Sequence, residues 1–191
     1  MAETLSTMLP LGTPLPSFSL PDAVSGKPVT STAARGSKGT LVMFLCNHCP
    51  FVQHVMPELG RLGRDYAPKG IAILAINSND LVAYPQDGPP HMKELATSED
   101  WTFPFLMDES QAVAREFQAA CTPDFFLFDG AGKLAYRGRL DETRPKSGAA
   151  PHGSDLRAAL DAVVAGGAPA TEQKPSVGCN IKWKELSPKS A

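Results

Sequence analysis

One stretch of the sequence constrains the fold more than any other: an apolar run that ends at two cysteines. Residues 40–45 are almost uninterruptedly apolar, as in a strand that is buried on both faces of a sheet. The run continues into the motif Cys-Asn-His-Cys-Pro at residues 46–50, and in residues 50–66 apolar side chains recur at intervals of three and four. That spacing is typical of a helix. The sequence therefore predicts a buried strand that passes through Cys46 and Cys49 into a helix.

The rest of the pattern predicts an α/β chain with a second buried strand and a hairpin. Residues 71–76 repeat the apolar character of the first strand, and residues 77–107 form a long connection after it. Pro57 falls inside the first helix and should kink it. Periodicity and turn residues predict further elements: helices over 92–98, 110–120 and 155–165, an extended segment at 104–108 and a β-hairpin over 125–137. Ser110 is the expected N-cap of its helix.

The charge balance argues against two classes of partner. The 191 residues carry 18 Lys+Arg against 20 Asp+Glu, which gives a formal net charge of −2. A nucleic-acid-binding protein needs a basic patch that neutralises phosphates, and an anionic membrane attracts clustered Lys and Arg. The sequence also contains no apolar run of the roughly 18 residues that a membrane-spanning helix needs. We therefore expect neither nucleic-acid nor membrane partners.

The N-terminal sequence and the cysteine count indicate a cytoplasmic protein with reduced thiols. The first residues contain no basic segment followed by an apolar run of the kind that directs secretion. Four cysteines are too few for a disulfide framework that would stabilise a chain of this length. In the cytoplasm, where thiols stay reduced, a pair of cysteines is more often catalytic or metal-binding than structural. We therefore expect a single cytoplasmic domain whose paired cysteines are functional candidates.

The position of Cys46 and Cys49 at the start of a helix favours thiol chemistry. The thiolate is the reactive form of cysteine, and the unpaired N–H groups and dipole of a helix N-terminus stabilise an anion there. Two cysteines three residues apart can close a disulfide across one turn, and His48 adds a group that can be cationic near neutral pH. Two other interpretations stay open: half of a zinc site, which usually needs four ligands, and inert packing.

A second motif completes a resemblance to a known fold. Thr122-Pro123 precedes the first strand of the predicted hairpin. A strand ending in cysteine, a Pro-containing helix, a second strand, and Thr-Pro before a hairpin and a last helix resemble the thioredoxin fold. The chain is most similar to the redoxin branch, with its peroxiredoxin-like (AhpC/TSA) proteins and thiol-disulfide oxidoreductases related to TlpA and ResA. The resemblance implies an α/β thioredoxin-like fold, with a central mixed β-sheet flanked by helices.

The same resemblance implies an organisation in three parts. Redoxins carry an N-terminal extension and an insertion after the second core strand, which match residues 1–38 and 77–107. We predict a redoxin domain over residues 14–166. It is preceded by an N-terminal segment, 1–13, and followed by a largely polar C-terminal tail, 167–191.

The redoxin resemblance also implies roles for individual residues. Aligning the apolar run with the family's strand places Cys49 on the attacking cysteine, and a peroxiredoxin-like subgroup carries the same Cys-Asn-His-Cys-Pro-Phe motif. Cys46 is then the resolving partner, and Pro123, after Thr122, matches the cis-proline that borders the redox cysteine. Pro50 agrees physically, because a proline in the first helical turn places Cys49 at or near the N-cap. The reverse assignment of the two cysteines stays open.

Two departures from the family pattern bear on the mechanism. The buried acid that assists the resolving cysteine of thioredoxins falls here on Met43, so proton transfer needs another group or water. Peroxiredoxins use Pro-x-x-x-Thr-x-x-Cys. With Cys49 as the cysteine of that motif, its threonine is replaced by Cys46 and its proline by Val42, so the threonine hydroxyl that activates peroxide is missing.

The other two cysteines are candidates for secondary roles. Cys121 lies next to Thr122 and is interpreted either as a packing residue or as a third redox thiol. Cys179 lies in the tail, where we expect a surface thiol near a docking patch that Ile181 and Trp183 anchor on the domain. A tail-borne resolving cysteine is the alternative for Cys179.

The sequence thus predicts an oxidoreductase that acts on thiols and disulfides, with no cofactor and no metal. The leading hypothesis is a thiol-disulfide oxidoreductase that uses a protein or small-molecule disulfide or thiol as substrate and a thiol as reductant. The first alternative is a thiol peroxidase with antioxidant activity, in which Cys49 becomes a sulfenic acid. The second is a copper- or zinc-binding metallochaperone, similar to the Sco proteins, whose Cys-x-x-x-Cys-Pro motif is one residue longer. The oligomeric state is not indicated.

Overall fold

The computed structural model describes residues 3–185, and the predicted strand that leads to the cysteines lies at the centre of its main sheet. The strands are Glu3–Leu5 (β1), Ser19–Pro21 (β2), Pro28–Thr30 (β3), Gly39–Phe44 (β4), Ile71–Asn77 (β5), Phe105–Met107 (β6), Cys121–Thr122 (β7), Asp124–Asp129 (β8), Leu134–Gly138 (β9) and Val177–Asn180 (β10). The helices are Pro50–Tyr66 (α1), Pro89–Ser98 (α2), Ala112–Glu116 (α3) and Ser154–Val164 (α4), with short 3₁₀ turns at Ala67–Lys69 and Pro85–Asp87.

The main sheet has five strands in the order β6-β5-β4-β8-β9. Strand β4 pairs in parallel with β5 and antiparallel with β8, so the sheet is mixed, as the resemblance implied. Every residue of β4 is buried, because its side chains alternate between two apolar layers. Leu41 and Met43 pack with α1 and α4 on one face, and Val42 and Phe44 pack with α3 on the other. The predicted central sheet flanked by helices is therefore confirmed.

Most predicted elements agree with the structure, and one helix does not. The first helix has the predicted bounds, and the hairpin forms from the antiparallel strands β8 and β9. The predicted helix over 110–120 is wrong in length: α3 has five residues and begins after Gln111, which adopts a left-handed φ of 63°. Ser110 is therefore not the N-cap, although its hydroxyl oxygen accepts a hydrogen bond from the Ala112 N–H at 3.2 Å.

A second sheet was not predicted, and it lies beside the two cysteines. It has three strands in the order β1-β10-β7, all antiparallel, so both ends of the described chain meet next to the Thr122-Pro123 segment. Ile181, after β10, is buried in the core, as expected. Trp183 is partly exposed and lies under the Arg115 guanidinium, 4.5 Å from its ring centroid. The predicted segment 1–13 and tail 167–191 thus each contribute a strand to one sheet. The predicted tail also includes residues outside the described range.

None of the helices within residues 3–185 combines the length and the apolar character that crossing a membrane requires.

Candidate active site

The two cysteines of the motif lie where β4 gives way to α1. Cys46 follows the carboxyl end of β4, and Cys49 is the N-cap residue of α1, with an extended backbone (φ −77°, ψ 122°) and Pro50 in the first helical turn. No side chain caps this N-terminus. The unpaired N–H groups and the helix dipole therefore stabilise a negative charge on the Cys49 sulfur.

The predicted Thr122-Pro123 pair lies against both sulfurs. The Thr122-Pro123 peptide bond is cis, as the resemblance implied. The Cys49 thiol donates a hydrogen bond to the Thr122 carbonyl oxygen at 3.1 Å, and the Cys46 sulfur lies 3.3 Å from the Thr122 hydroxyl oxygen. The structure therefore brings together the four residues that the sequence nominated as catalytic, with the roles of the cysteines still a prediction.

The hydrogen bonds around the pair shift the pKa values of the two thiols in opposite directions. The pKa of Cys49 lies well below that of an ordinary thiol, chiefly because Cys46 donates a hydrogen bond to it, and the backbone N–H of Val52 adds to the effect. The pKa of Cys46 lies far above the ordinary value because of that same hydrogen bond, its burial and the nearby Asp87 carboxylate. Of the two, Cys49 is the sulfur that this environment stabilises as a thiolate.

Cys179 lies at the same site, and the expectation of a surface thiol is wrong. Only 3% of Cys179 is exposed, because β10 pairs antiparallel with β7 and sets Cys179 opposite Thr122. Both its side chain and its backbone N–H are hydrogen-bonded to Cys49. The neighbouring residue must be glycine, because a Cβ atom at Gly178 would lie 2.1 Å from the Thr122 carbonyl oxygen.

Cys121 is buried beside the pair in an environment that disfavours its thiolate. Its sulfur lies 3.6 Å from the Pro123 carbonyl oxygen, which accepts its hydrogen bond. Burial raises the pKa of Cys121, and the Asp124 carboxyl raises it further. Asp124 is itself fully buried, which raises its pKa to about 8, and within residues 3–185 its Oδ1 atom has no hydrogen-bond partner. Both packing and redox interpretations of Cys121 stay open.

His48 is held by a residue that the sequence did not nominate. Its Nδ1 atom lies 2.8 Å from Oδ2 of Asp87, and its ring stacks on Tyr84 with centroids 5.2 Å apart and planes 10° from parallel. Asp87 also accepts hydrogen bonds from the Asn47 backbone N–H at 2.9 Å and the Asn79 side chain at 2.8 Å. The insertion after β5 therefore fixes the loop between the two cysteines.

A signal for Asp87 was present in the sequence, although it was weak. Asn77 and Asn79 follow directly after the second buried strand. Polar residues at the carboxyl end of a parallel strand line the edge where α/β proteins place their sites. Asp87 lies ten residues further on, and its backbone carbonyl accepts a hydrogen bond from the Asn77 amide at 2.7 Å.

Three groups near the site could contact a metal ion. Ligand atoms of Cys46, His48 and Asp87 lie within 4.8 Å of one another. A structural zinc site usually has four ligands, and the His48 and Asp87 atoms already contact each other. The site as a whole is better suited to thiol chemistry. The Cys49 sulfur is stabilised as an anion, and the Cys46 sulfur is hydrogen-bonded to it.

The fold and the site together define a thioredoxin-like protein whose chemistry resides in thiols. A family model described as Redoxin matches residues 10–152, and the chain therefore belongs to the redoxin family. It is an oxidoreductase that acts on thiols.

Three known proteins are similar to this chain in sequence or in fold. The crystal structure of an uncharacterized conserved protein from Geobacillus kaustophilus is 48% identical, with a TM-score of 0.95 over 98% of this chain and 99% of that one. The thiol-disulfide oxidoreductase YkuV of Bacillus subtilis (strain 168) is 26% identical over 127 residues, which cover 64% of this chain and 81% of YkuV. The solution structure of a thioredoxin-like protein in the oxidised form superimposes with a TM-score of 0.66 at 22% identity, over 83% and 99% of the two chains.

Proposed function

We propose that this protein is a thiol-disulfide oxidoreductase in which Cys49 attacks a substrate disulfide and Cys46 resolves the product. One observation carries the assignment of roles: Cys46 donates a hydrogen bond to Cys49 at the N-terminus of α1. That bond and the helix dipole stabilise the Cys49 thiolate, which is the nucleophile of thiol-disulfide exchange.

The reaction consists of two exchanges. The Cys49 thiolate attacks one sulfur of the substrate disulfide, so that a mixed disulfide forms and the other substrate sulfur leaves as a thiolate. Cys46 then loses its proton and attacks the Cys49 sulfur, which releases the second substrate thiol and leaves a Cys46–Cys49 disulfide. An external thiol reduces that disulfide. The substrate gains two electrons in each cycle, and the reductant supplies them.

The proton of Cys46 needs an acceptor, because its pKa is raised and Met43 occupies the place of the thioredoxin acid. A ring nitrogen of His48 lies within 4.8 Å of the Cys46 sulfur, and Asp87 holds the imidazole. We propose that His48 accepts the proton as Cys46 attacks and returns it to the departing substrate sulfur.

The substrate is a disulfide in a protein or a small molecule. A small pocket beside Pro123 is lined by apolar and charged groups, among them Phe51, Arg139 and Asp141. The cytoplasmic location that we expected stays a prediction.

Neither alternative is favoured by an observation at the site. The threonine that would activate peroxide is replaced by Cys46. For metal delivery, the cluster near Cys46 offers three candidate ligands rather than the four of a closed site.

The test is catalysis of insulin reduction by dithiothreitol, with wild type, Cys49→Ser and Cys46→Ser compared. We expect wild-type catalysis, loss of it in Cys49→Ser, and reduced catalysis in Cys46→Ser, which lacks the proposed resolving thiol. A wild-type protein that does not accelerate reduction, or a Cys49→Ser variant that retains full activity, would contradict the proposal.

A further inference from the structure

Strand β10 lies on the backbone edge that a substrate strand would use. The Thr122 backbone lies next to the reactive sulfur, since its carbonyl oxygen accepts the hydrogen bond from Cys49 at 3.1 Å. That edge is already paired: β10 runs antiparallel to β7, with Cys179 opposite Thr122 and Asn180 opposite Cys121. The chain's own C-terminal region therefore sets a cysteine next to Cys49, as an incoming substrate strand would.

The position of β10 is fixed by hydrogen bonds at both of its ends. Before the strand, the Ser176 hydroxyl donates to the Gly138 carbonyl oxygen at 2.6 Å, and the Ser176 backbone N–H donates to the Ser6 hydroxyl oxygen at 3.0 Å. After it, the Ile181 backbone N–H donates to the Ala120 carbonyl oxygen at 3.1 Å. These hydrogen bonds hold β10 in place, with the Cys179 sulfur next to Cys49.

We infer that Cys179 is a third redox-active thiol of this site and exchanges with Cys49. The inference rests on the proposed function, since that function supplies the oxidised form of Cys49. The Cys179 thiolate attacks the Cys49 sulfur of the Cys46–Cys49 disulfide. The Cys49–Cys179 bond forms, the Cys46–Cys49 bond breaks, and Cys46 leaves as a thiolate and takes up the proton that Cys179 lost. No electrons enter or leave, because one disulfide replaces another.

The exchange partner of Cys49 is Cys179 rather than Cys121, because the side chains of these two cysteines form different hydrogen bonds. The Cys179 side chain is hydrogen-bonded to the Cys49 sulfur, whereas the Cys121 thiol donates to the Pro123 carbonyl oxygen. Burial raises the pKa of both thiols; the Asp124 carboxyl raises that of Cys121 further, whereas Lys182 partly offsets the rise for Cys179. Exchange needs the attacking sulfur next to the sulfur under attack, and of these two cysteines Cys179 is the one whose side chain is hydrogen-bonded to Cys49.

The Cys49–Cys179 bond would have a direct consequence for the substrate. It would tie β10 covalently to the N-terminus of α1 and keep the Thr122 edge occupied. In the reduced form, β10 is held by hydrogen bonds and packing alone, so a substrate strand can compete for the edge. Cys179 would therefore make access to the site depend on the redox state of the site.

The experiment uses the full chain with Cys46→Ser, so that the proposed resolving thiol does not compete with Cys179 for Cys49. The protein is reduced, freed of reductant and treated with oxidised glutathione, and its disulfides are mapped by mass spectrometry of a non-reduced digest. Glutathione first forms a mixed disulfide with Cys49, and Cys179 then displaces it as a thiol. We expect most chains to carry a Cys49–Cys179 cross-link and no glutathione.

Two matched variants control the assignment, and circular dichroism establishes that each is folded. Cys46→Ser with Cys121→Ser should still form the cross-link, and Cys46→Ser with Cys179→Ser should accumulate glutathione on Cys49. Glutathione retained in Cys46→Ser alone, a Cys49–Cys121 cross-link, or an unmodified Cys49 under conditions that oxidise the wild type would each overturn the inference. Because the mapping requires no catalysis of insulin reduction, failure of the proposed function is recognised separately.

Discussion

The Cys49 thiol donates a hydrogen bond to the Thr122 carbonyl oxygen at 3.1 Å, although the two residues are 73 positions apart in the chain. The threonine side chain of the same residue lies 3.3 Å from the Cys46 sulfur. Thr122 therefore contacts both sulfurs of the pair, one through its backbone and one through its hydroxyl. A substitution of the Thr122 side chain should therefore affect Cys46, which lies against the hydroxyl, and leave the backbone contact to Cys49 in place.

Thr122→Val should slow the resolving step and leave the attack by Cys49 unchanged. The hydroxyl lowers the pKa of Cys46, and valine removes it while keeping the branched shape. A lost hydrogen bond of about 1 kcal/mol corresponds to a slowing of roughly fivefold. The measurement is the rate at which a preformed mixed disulfide on Cys49 releases its thiol. Thr122→Ser, which keeps a hydroxyl, should release at the wild-type rate, and equal rates in valine and serine variants would contradict the role of the hydroxyl.

Cys46→Ala should raise the pKa of Cys49. The hydrogen bond from Cys46 is the largest cause of its lowered value, and a hydrogen bond to a charged group is worth about 1.5–3 kcal/mol, or roughly 1–2 pH units. The measurement is the ultraviolet absorbance of the thiolate as a function of pH. Cys46→Ser retains a hydroxyl donor, so its titration should lie closer to that of the wild type. An alanine variant that titrates like the wild type would show that the other groups around Cys49, and not Cys46, set the value.

The central strand and first helix were predictable because their signals are local. Residues 40–45 are apolar on both faces, and the observed strand, Gly39–Phe44, differs by one residue. The helix Pro50–Tyr66 has a clear apolar face and a proline at its start. Because Cys46 and Cys49 lie between these two elements, their place in the fold followed from the sequence.

Two parts of the site were not predictable because they depend on contacts between distant segments. Strand β10 has four residues, one of them glycine, and its pairing with β7 joins Cys179 to Thr122 across a long stretch of chain. Nothing in its own sequence indicates that partner. Asp87 ends a short 3₁₀ turn in the insertion and is buried against the loop around His48 and against Asn79. The α3 prediction failed locally, since Gln111 adopts a left-handed conformation that apolar periodicity does not reveal.

Asp87→Ala should destabilise the protein by about 2–4 kcal/mol, because several buried donors lose their acceptor. Asp87 is fully buried and accepts hydrogen bonds from Asn47, Asn79 and His48. The free energy of unfolding in urea measures the effect. Asp80→Asn is the matched control in the same insertion, because asparagine keeps the oxygen that accepts the Val82 N–H, and its stability should stay near that of the wild type. Similar losses in both variants would contradict the structural role of Asp87.

Asp124 should make the protein less stable as the pH rises. Burial raises its pKa from 3.8 to about 8, so between these values the folded state holds a proton that the unfolded state has lost. The contribution is complete below the unfolded pKa and declines with rising pH, by at most about 1.4 kcal/mol per unit, until the folded pKa is passed.

Cys49 titrates with the opposite sign, since its folded pKa is lowered, so the test for Asp124 is made in a Cys49→Ser background. Unfolding free energies are measured across pH 4–8 with Asp124 and with Asp124→Asn, which stays neutral throughout. The stability of the Asp124 protein relative to the Asn variant should fall steadily across this range. A difference that does not change with pH would show that Asp124 is not protonated in the folded state at neutral pH.

Gly178→Val should release β10 from β7 and expose Cys49. A Cβ atom at this position would lie 2.1 Å from the Thr122 carbonyl oxygen, a backbone atom that cannot move without disturbing the site. We expect a loss of stability of about 1–3 kcal/mol, as for other overpacked positions. If the substitution lowers the free energy of opening of β10 by about 1.4 kcal/mol, alkylation of Cys49 by iodoacetamide should be roughly ten times faster.

Gly167→Val is the matched control for Gly178→Val, because the nearest atom to a Cβ there is the Ala162 carbonyl oxygen at an ordinary 3.5 Å. Its alkylation rate should match the wild type. Mass spectrometry of the alkylated digest identifies Cys49 as the reacting residue. Cys49 is buried in the closed form, so its reactivity reports the fraction of time that β10 is open. Equal alkylation rates in both valine variants would mean that another segment, and not β10, controls access to the thiolate.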